Sequence, residues 1–147
     1  MDPALIRRLP KTDLHVHLDG SLRLPTLIEL ARARSIALPS ETPEGLEELV
    51  FRPRYRSLSE YLEGFRYTVA ALQDSESLER SAFELAEDCQ AEGVRYLEVR
   101  FAPQLHVQAG FDLEAVVGAV DKGLRRATTA FNDRPEIAPD DFPVRVV

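Results

Sequence analysis

Two short segments in which side-chain character alternates residue by residue flank a long helical stretch, and that order constrains the fold more than any other feature. The first is Thr12 to Leu18 (TDLHVHL) and the second is Val94 to Ala102 (VRYLEVRFA). Alternation with a period of two marks a β-strand with two unlike faces. Leu14, Val16 and Leu18 point one way, and Asp13, His15 and His17 the other. On the second strand Leu97, Val99 and Phe101 oppose Tyr96, Glu98 and Arg100. Strands separated by helices need crossover connections, so a parallel sheet is predicted. The last residues, VRVV, begin a further strand.

The intervening sequence reads as helices with identifiable ends. Leu24 to Ser35 places Leu27, Leu30, Ala31 and Arg34 at helical spacing, with Pro25 in the first turn. Thr42 and Pro43 open the short helix PEGLEELV, while FRPRYR reads as irregular. Ser57 to Leu72 is predicted as one helix with the stripe Leu58, Tyr61, Leu62, Phe65 and Val69. Ser75 is expected to cap a helix from Glu76 to Glu92, with Leu78, Ala82, Phe83, Leu85, Ala86 and Cys89 inward. Gly93 sits where a helix C-terminal glycine belongs. Asp112 caps LEAVVGAVDKGLRRATTAF, and NDRPEIAPDDFP is a loop.

Composition sets outer limits. A chain of 147 residues with 44% apolar side chains can bury a core as one domain. Twenty-five acidic residues against 18 basic ones argue against nucleic-acid binding, which draws on a clustered basic face. The segments Glu41 to Glu48 and Asp140–Asp141 read as solvated surface. The single cysteine, Cys89, excludes an internal disulfide framework and reads as an inert core thiol. Apolar runs fall far short of the roughly 20 residues of a membrane span. The N-terminus lacks a signal-peptide core, so a cytoplasmic globular protein without membrane contact is expected.

The chemistry concentrates in His15-Val16-His17-Leu18-Asp19-Gly20. Residues i and i+2 of a strand share a face roughly 6–7 Å apart, close enough for two imidazoles to converge on one metal ion. Asp19 continues that period, placing a carboxylate just beyond. Two histidines on a strand are more often surface or satisfied core residues. Here four polar groups in succession, Asp13, His15, His17 and Asp19, would be costly on an inner face unless they bind or pair. Glu98 and Arg100 project inward by alternation and are expected to form a structural ion pair there, with direct substrate contact as the alternative. His106, in QLHVQAG, is expected to be a loop residue rather than a ligand, and the Leu58–Phe65 stripe either core or the wall of a pocket.

LPKTDLHVHLDGSLR, ARSIALP, SLSEYLEGFRYTV and GVRYLEVRFAPQLH, in this order, resemble the adenosine deaminase family of the amidohydrolase superfamily. The resemblance runs from about Leu9 through nearly the whole chain. It implies an α/β fold: residues 1–147 would be the N-terminal part of a TIM-type β/α barrel, with about three of eight strands present. It implies one catalytic zinc ion, with His15 and His17 as two ligands. Asp19 would bind the ribose 5′-hydroxyl, and Leu58, Tyr61 and Leu62 would form the helical wall over the nucleoside. The reaction implied is hydrolytic loss of ammonia from adenosine or deoxyadenosine. The family's H-A-G-E and Asp-Asp motifs do not occur in this sequence, so the catalytic acid and base are unassigned and the chain alone is expected to be inactive. Adenine, aminodeoxyfutalosine and modified adenine nucleotides are alternative substrates; so is a non-catalytic deaminase-like module as an alternative role. Cytosine deaminase or dihydroorotase chemistry shares only H-x-H. An open sheet edge is expected to self-associate or to pair with the rest of the barrel.

Overall fold

A three-stranded parallel sheet, in the order β1-β2-β3, organises the molecule in a computed structural model that describes residues 2–107, 110–135 and 145–147. The strands are β1 (Lys11–His17), β2 (Val94–Arg100) and β3 (Arg145–Val146). Helix α1 (Pro3–Arg8), not anticipated from the sequence, precedes β1. Between β1 and β2 come α2 (Leu24–Ala33), α3 (Pro43–Leu49), α4 (Leu58–Leu62), α5 (Phe65–Ala71) and α6 (Ser75–Ala91); α7 (Leu113–Asn132) lies between β2 and β3. The strand–helix–strand order expected from alternation is therefore present. The acidic pair Asp140–Asp141, residues 136–143 of the predicted loop and residue 144 of the predicted final strand lie outside the described residues.

Helix α6 packs against both α7 and β2 and buries Leu78, Ala82, Leu85 and Ala86 against Val94, Leu97, Val116, Ala119, Val120 and Leu124. Gly123 makes the helix pair possible: a Cβ there would stand 2.2 Å from the backbone oxygen of Glu79. Gly93 ends the turn after α6 at φ +90°, a conformation that suits glycine. Thr42 and Asp112 cap α3 and α7 as expected, accepting from the backbone N–H of Gly45 at 3.2 Å and of Ala115 at 2.7 Å.

Four expectations need correction. The cap of α6 is Asp74, not Ser75: its carboxylate accepts the Ser77 N–H at 2.8 Å, and Ser75 is already helical. The predicted helix from Ser57 to Leu72 is two helices, α4 and α5, interrupted at Glu63–Gly64, where glycine weakens the helix. Glu98 and Arg100 form no ion pair; instead the Tyr96 hydroxyl donates to Glu98 at 2.8 Å, raising the Tyr96 pKa.

The fourth correction concerns β1. Register runs Asp13↔Leu97 and then Val16↔Val99, so Leu14 and His15 of β1 oppose Glu98 alone. This extra residue is a β-bulge, which breaks strict alternation. The His15 N–H turns back to Asp13 Oδ1 at 3.4 Å. Asp13 therefore pairs in register with buried Leu97 instead of sharing the histidine face, and Leu14 is 56% exposed. Val16 and Leu18 pack into the core as expected.

Candidate active site

The bulge and the end of β1 decide where the histidines go. Beyond it, His15 and His17 project to the side opposite the core-packed Val16, and a 3₁₀ turn over Leu18–Gly20 closes the strand. Within that turn Leu18 is fully buried and holds the backbone down, while Asp19 is only 6% exposed. The Ser21 hydroxyl donates to the His17 carbonyl at 2.7 Å and fixes the turn.

The two imidazoles converge. His15 Nε2 and His17 Nε2 are 3.1 Å apart, with ring centroids 5.1 Å apart. Two nitrogens that each bind one zinc ion at about 2.0–2.1 Å in tetrahedral geometry sit about 3.3 Å apart, so the pair fits two corners of such a site. Among the described residues no group of three or more His, Cys, Asp or Glu side chains could hold a metal ion. His15 and His17 are thus a pair of candidate nitrogen donors. Asp19 Oδ1 lies 3.8 Å from His17 Nδ1, beyond hydrogen-bond reach, and it is buried without a hydrogen-bond partner. An orphaned buried carboxylate oxygen is costly and favours an incoming hydroxyl donor.

An open cavity of about 560 Å³ brings these groups together with Tyr61, Leu62, Phe65, Arg100, Phe101 and Ala102. That volume is within the range of small-molecule sites. One rim is aromatic: Tyr61 meets Phe65 edge-on at 5.5 Å, and the Phe65 ring lies so near Gly20 that a Cβ there would approach it to 3.1 Å. Of the residues expected to form the helical wall, Tyr61 and Leu62 line the cavity, and Leu58 points to solvent at 70% exposure. Arg100, the register partner of His17, brings a positive charge to the cavity.

His106 is not an ordinary loop residue. It is fully buried, its Nδ1 is 2.7 Å from the Leu72 carbonyl, and Gln73 Nε2 donates to the Leu105 carbonyl at 2.9 Å. Together these pin the turn after β2 to the end of α5. Cys89 is half-buried against the core, and burial first, then the carboxylates of Asp13, Glu92 and Asp88, push its thiol up to about 11. It is a thiol at neutral pH, remote in role from the cavity.

Comparison with known proteins gives the same outline. The family model described as adenosine deaminase matches residues 10–137. An adenosine deaminase of Shewanella halifaxensis is 44% identical over 126 residues, covering 85% of this chain and 38% of the relative. The crystal structure of an adenine deaminase from Arthrobacter aurescens aligns with TM-score 0.69 and 26% identity, covering 96% of this chain and 38% of that one. A zinc-bound amidohydrolase from Burkholderia ambifaria aligns with TM-score 0.71 and 24% identity over 98% of this chain and 36% of that one, a likeness of fold alone. The chain spans a little over a third of the length of the curated relatives it matches. Its three parallel strands correspond to part of the amidohydrolase TIM-type barrel.

Proposed function

The chain belongs to the adenosine deaminase family, and from that premise we propose that it supplies two metal ligands and one wall of the substrate cavity to a zinc-dependent hydrolase. The reaction is hydrolytic deamination of adenosine or deoxyadenosine to the inosine nucleoside and ammonia. The observation that carries this reading is the convergence of His15 Nε2 and His17 Nε2 at 3.1 Å in the cavity that also holds Asp19.

A zinc ion held there would supply Lewis acidity, making water nucleophilic near neutral pH. The chain's own residues do the rest of what falls to them. His15 and His17 would hold the ion through their Nε2 atoms. Asp19 accepts a hydrogen bond from a sugar hydroxyl through its unpartnered Oδ1 and so fixes the ribose end. Tyr61, Leu62, Phe65 and Phe101 cover the base and exclude water.

The same carboxylate bears on the substrate. Adenine has no hydroxyl to satisfy Asp19, which favours a sugar-bearing substrate, whereas a phosphate would meet both the Asp19 carboxylate and the Arg100 guanidinium. The sequence has three histidines, one of them the buried His106, so the 147-residue chain by itself is expected to release no ammonia.

The test is turnover of adenosine, adenine and AMP by the protein carrying the rest of the barrel, with and without a zinc chelator. Adenosine should be fastest and chelation should abolish activity. Asp19→Ala should lower kcat/KM for adenosine by about 10- to 100-fold, the worth of a hydrogen bond to a charged group. Faster turnover of adenine would overturn the substrate assignment, and chelator-resistant turnover would overturn the metal.

A further inference from the structure

Helix α4 carries Tyr61 and Leu62 to the cavity, yet little in its own composition holds it there. None of its five residues is buried, and only Glu60 is not exposed. So short a helix does not sustain itself in water, because nucleation outweighs the few hydrogen bonds gained. Ser57 caps it, accepting the Glu60 N–H at 3.2 Å, but that bond is internal to the turn.

Glu60 is different, because its partners lie outside the helix. Its side chain is 11% exposed. It accepts from Arg52 Nη2 at 2.6 Å, from the Arg56 backbone N–H at 2.7 Å, and from Arg56 Nη2 and Nε at 3.3 and 3.4 Å. A glutamate three residues into a helix usually reaches back to the N–H of the cap residue. Here it reaches one residue further, into the preceding loop. Arg52 follows Phe51, which packs on the core and donates its N–H to the Leu46 carbonyl at 2.8 Å. On the other side, Tyr61 meets Tyr55 edge-on at 5.2 Å as well as Phe65, and the Tyr55 hydroxyl is tied to the Val50 carbonyl at 3.0 Å. A continuous line of contacts runs from the core through Arg52 and Glu60 to Tyr61 and then to Phe65 beside Gly20.

We infer that Glu60 is a positioning residue for substrate: by clamping α4 to Arg52 and Arg56 it sets where Tyr61 and Leu62 stand over His15, His17 and Asp19. The inference rests on the proposed reading of that cavity as a nucleoside site. Glu60 touches no substrate itself. Its loss leaves the chemistry intact and weakens the closing wall, which acts on binding.

In the protein carrying the whole barrel, Glu60→Gln should raise KM for adenosine about three- to fivefold, with kcat within about twofold and the melting temperature unchanged. Arg52→Ala should raise KM similarly. The double variant should fall short of the product of the two effects, since both remove one interaction. Backbone amide exchange over residues 60–63, measured without substrate, should accelerate in the Gln variant while exchange in α6 stays the same. Equal losses in kcat and stability, or unaltered exchange in α4, would overturn the positioning role. Faster exchange in α4 of a protein that turns over no adenosine would leave the clamp standing and remove the nucleoside reading instead.

Discussion

Helices α6 and α4 belong to the same connection between β1 and β2, and they are built on opposite principles. Helix α6 has 17 residues, buries Leu78, Ala82, Leu85 and Ala86, and is pressed against α7 at Gly123. Its polar flank is also occupied: Arg23 pairs with Asp88 and Glu87, Arg80 with Glu84 and Glu29, and Lys122 and Arg126 with Glu79. Helix α4 has five residues, no buried side chain and one ionic clamp. The contrast extends across the sheet, where Val16, Leu97 and Val99 pack on helices while His15, His17 and Arg100 face an open cavity. The packed core lies on one side of the strands and the open cavity on the other.

The largest effect that would break this division comes from the packed side. Leu78→Ala removes a fully buried side chain and should cost about 2–5 kcal/mol. Gly123→Val should cost at least as much, because the new Cβ collides with backbone that has nowhere to move. His15→Ala and His17→Ala, both on exposed residues, should stay within about 0.5 kcal/mol. Urea denaturation with an unchanged slope measures all four. A loss of about 2 kcal/mol or more in either histidine variant would mean that the site face also carries the fold.

This division explains what could be read from the sequence. The packed side is periodic, so α6, α7 and the core positions of β2 follow from spacing, and the caps Thr42 and Asp112 follow from residue type. What failed was local competition. Asp74 and Ser75 are both good caps, and one helical position separates them. The bulge in β1 depends on pairing with β2, which no single segment encodes, and it moved Asp13 away from the histidine face. The break between α4 and α5 was marked by Gly64 but hidden by a stripe that continues through it. On the cavity side, the gathering of His15, His17 and Asp19 follows from their spacing of two at the end of β1. The Glu60 clamp was not legible, since its partner Arg52 lies in a segment without regular structure. Nor was the burial of His106, which depends on the carbonyl of Leu72, 34 residues away.

A smaller effect sharpens the same comparison at the two helix N-termini. Asp74→Ala removes the carboxylate that accepts the Ser77 N–H and also pairs with Arg34, and should lower global stability by about 1 kcal/mol. Ser57→Ala removes the equivalent bond from α4, yet global stability should not change measurably. A helix without buried side chains opens locally before the molecule unfolds, so its cap contributes to local opening alone. Equal losses in the two variants, read by thermal melting, would place α4 within the cooperative unit.

A last effect concerns Cys89, on the packed helix. Burial, the largest cause, and the neighbouring carboxylates raise its thiol from 9.0 to about 11. The folded state therefore favours the neutral thiol: the contribution to stability is complete below pH 9 and is lost as the pH rises from about 9 towards 11. At pH 8, two pKa units leave the native protein with about a hundredfold less thiolate than the unfolded chain, and alkylation by iodoacetamide should slow accordingly. Variants of the site face should leave that protection in place, because their openings do not reach α6. Leu78→Ala should shorten it, since exchange of the thiol with solvent then requires less unfolding. If Glu60→Gln exposes Cys89 as readily as Leu78→Ala does, the two sides of the sheet are one mechanical unit, and the division between them fails.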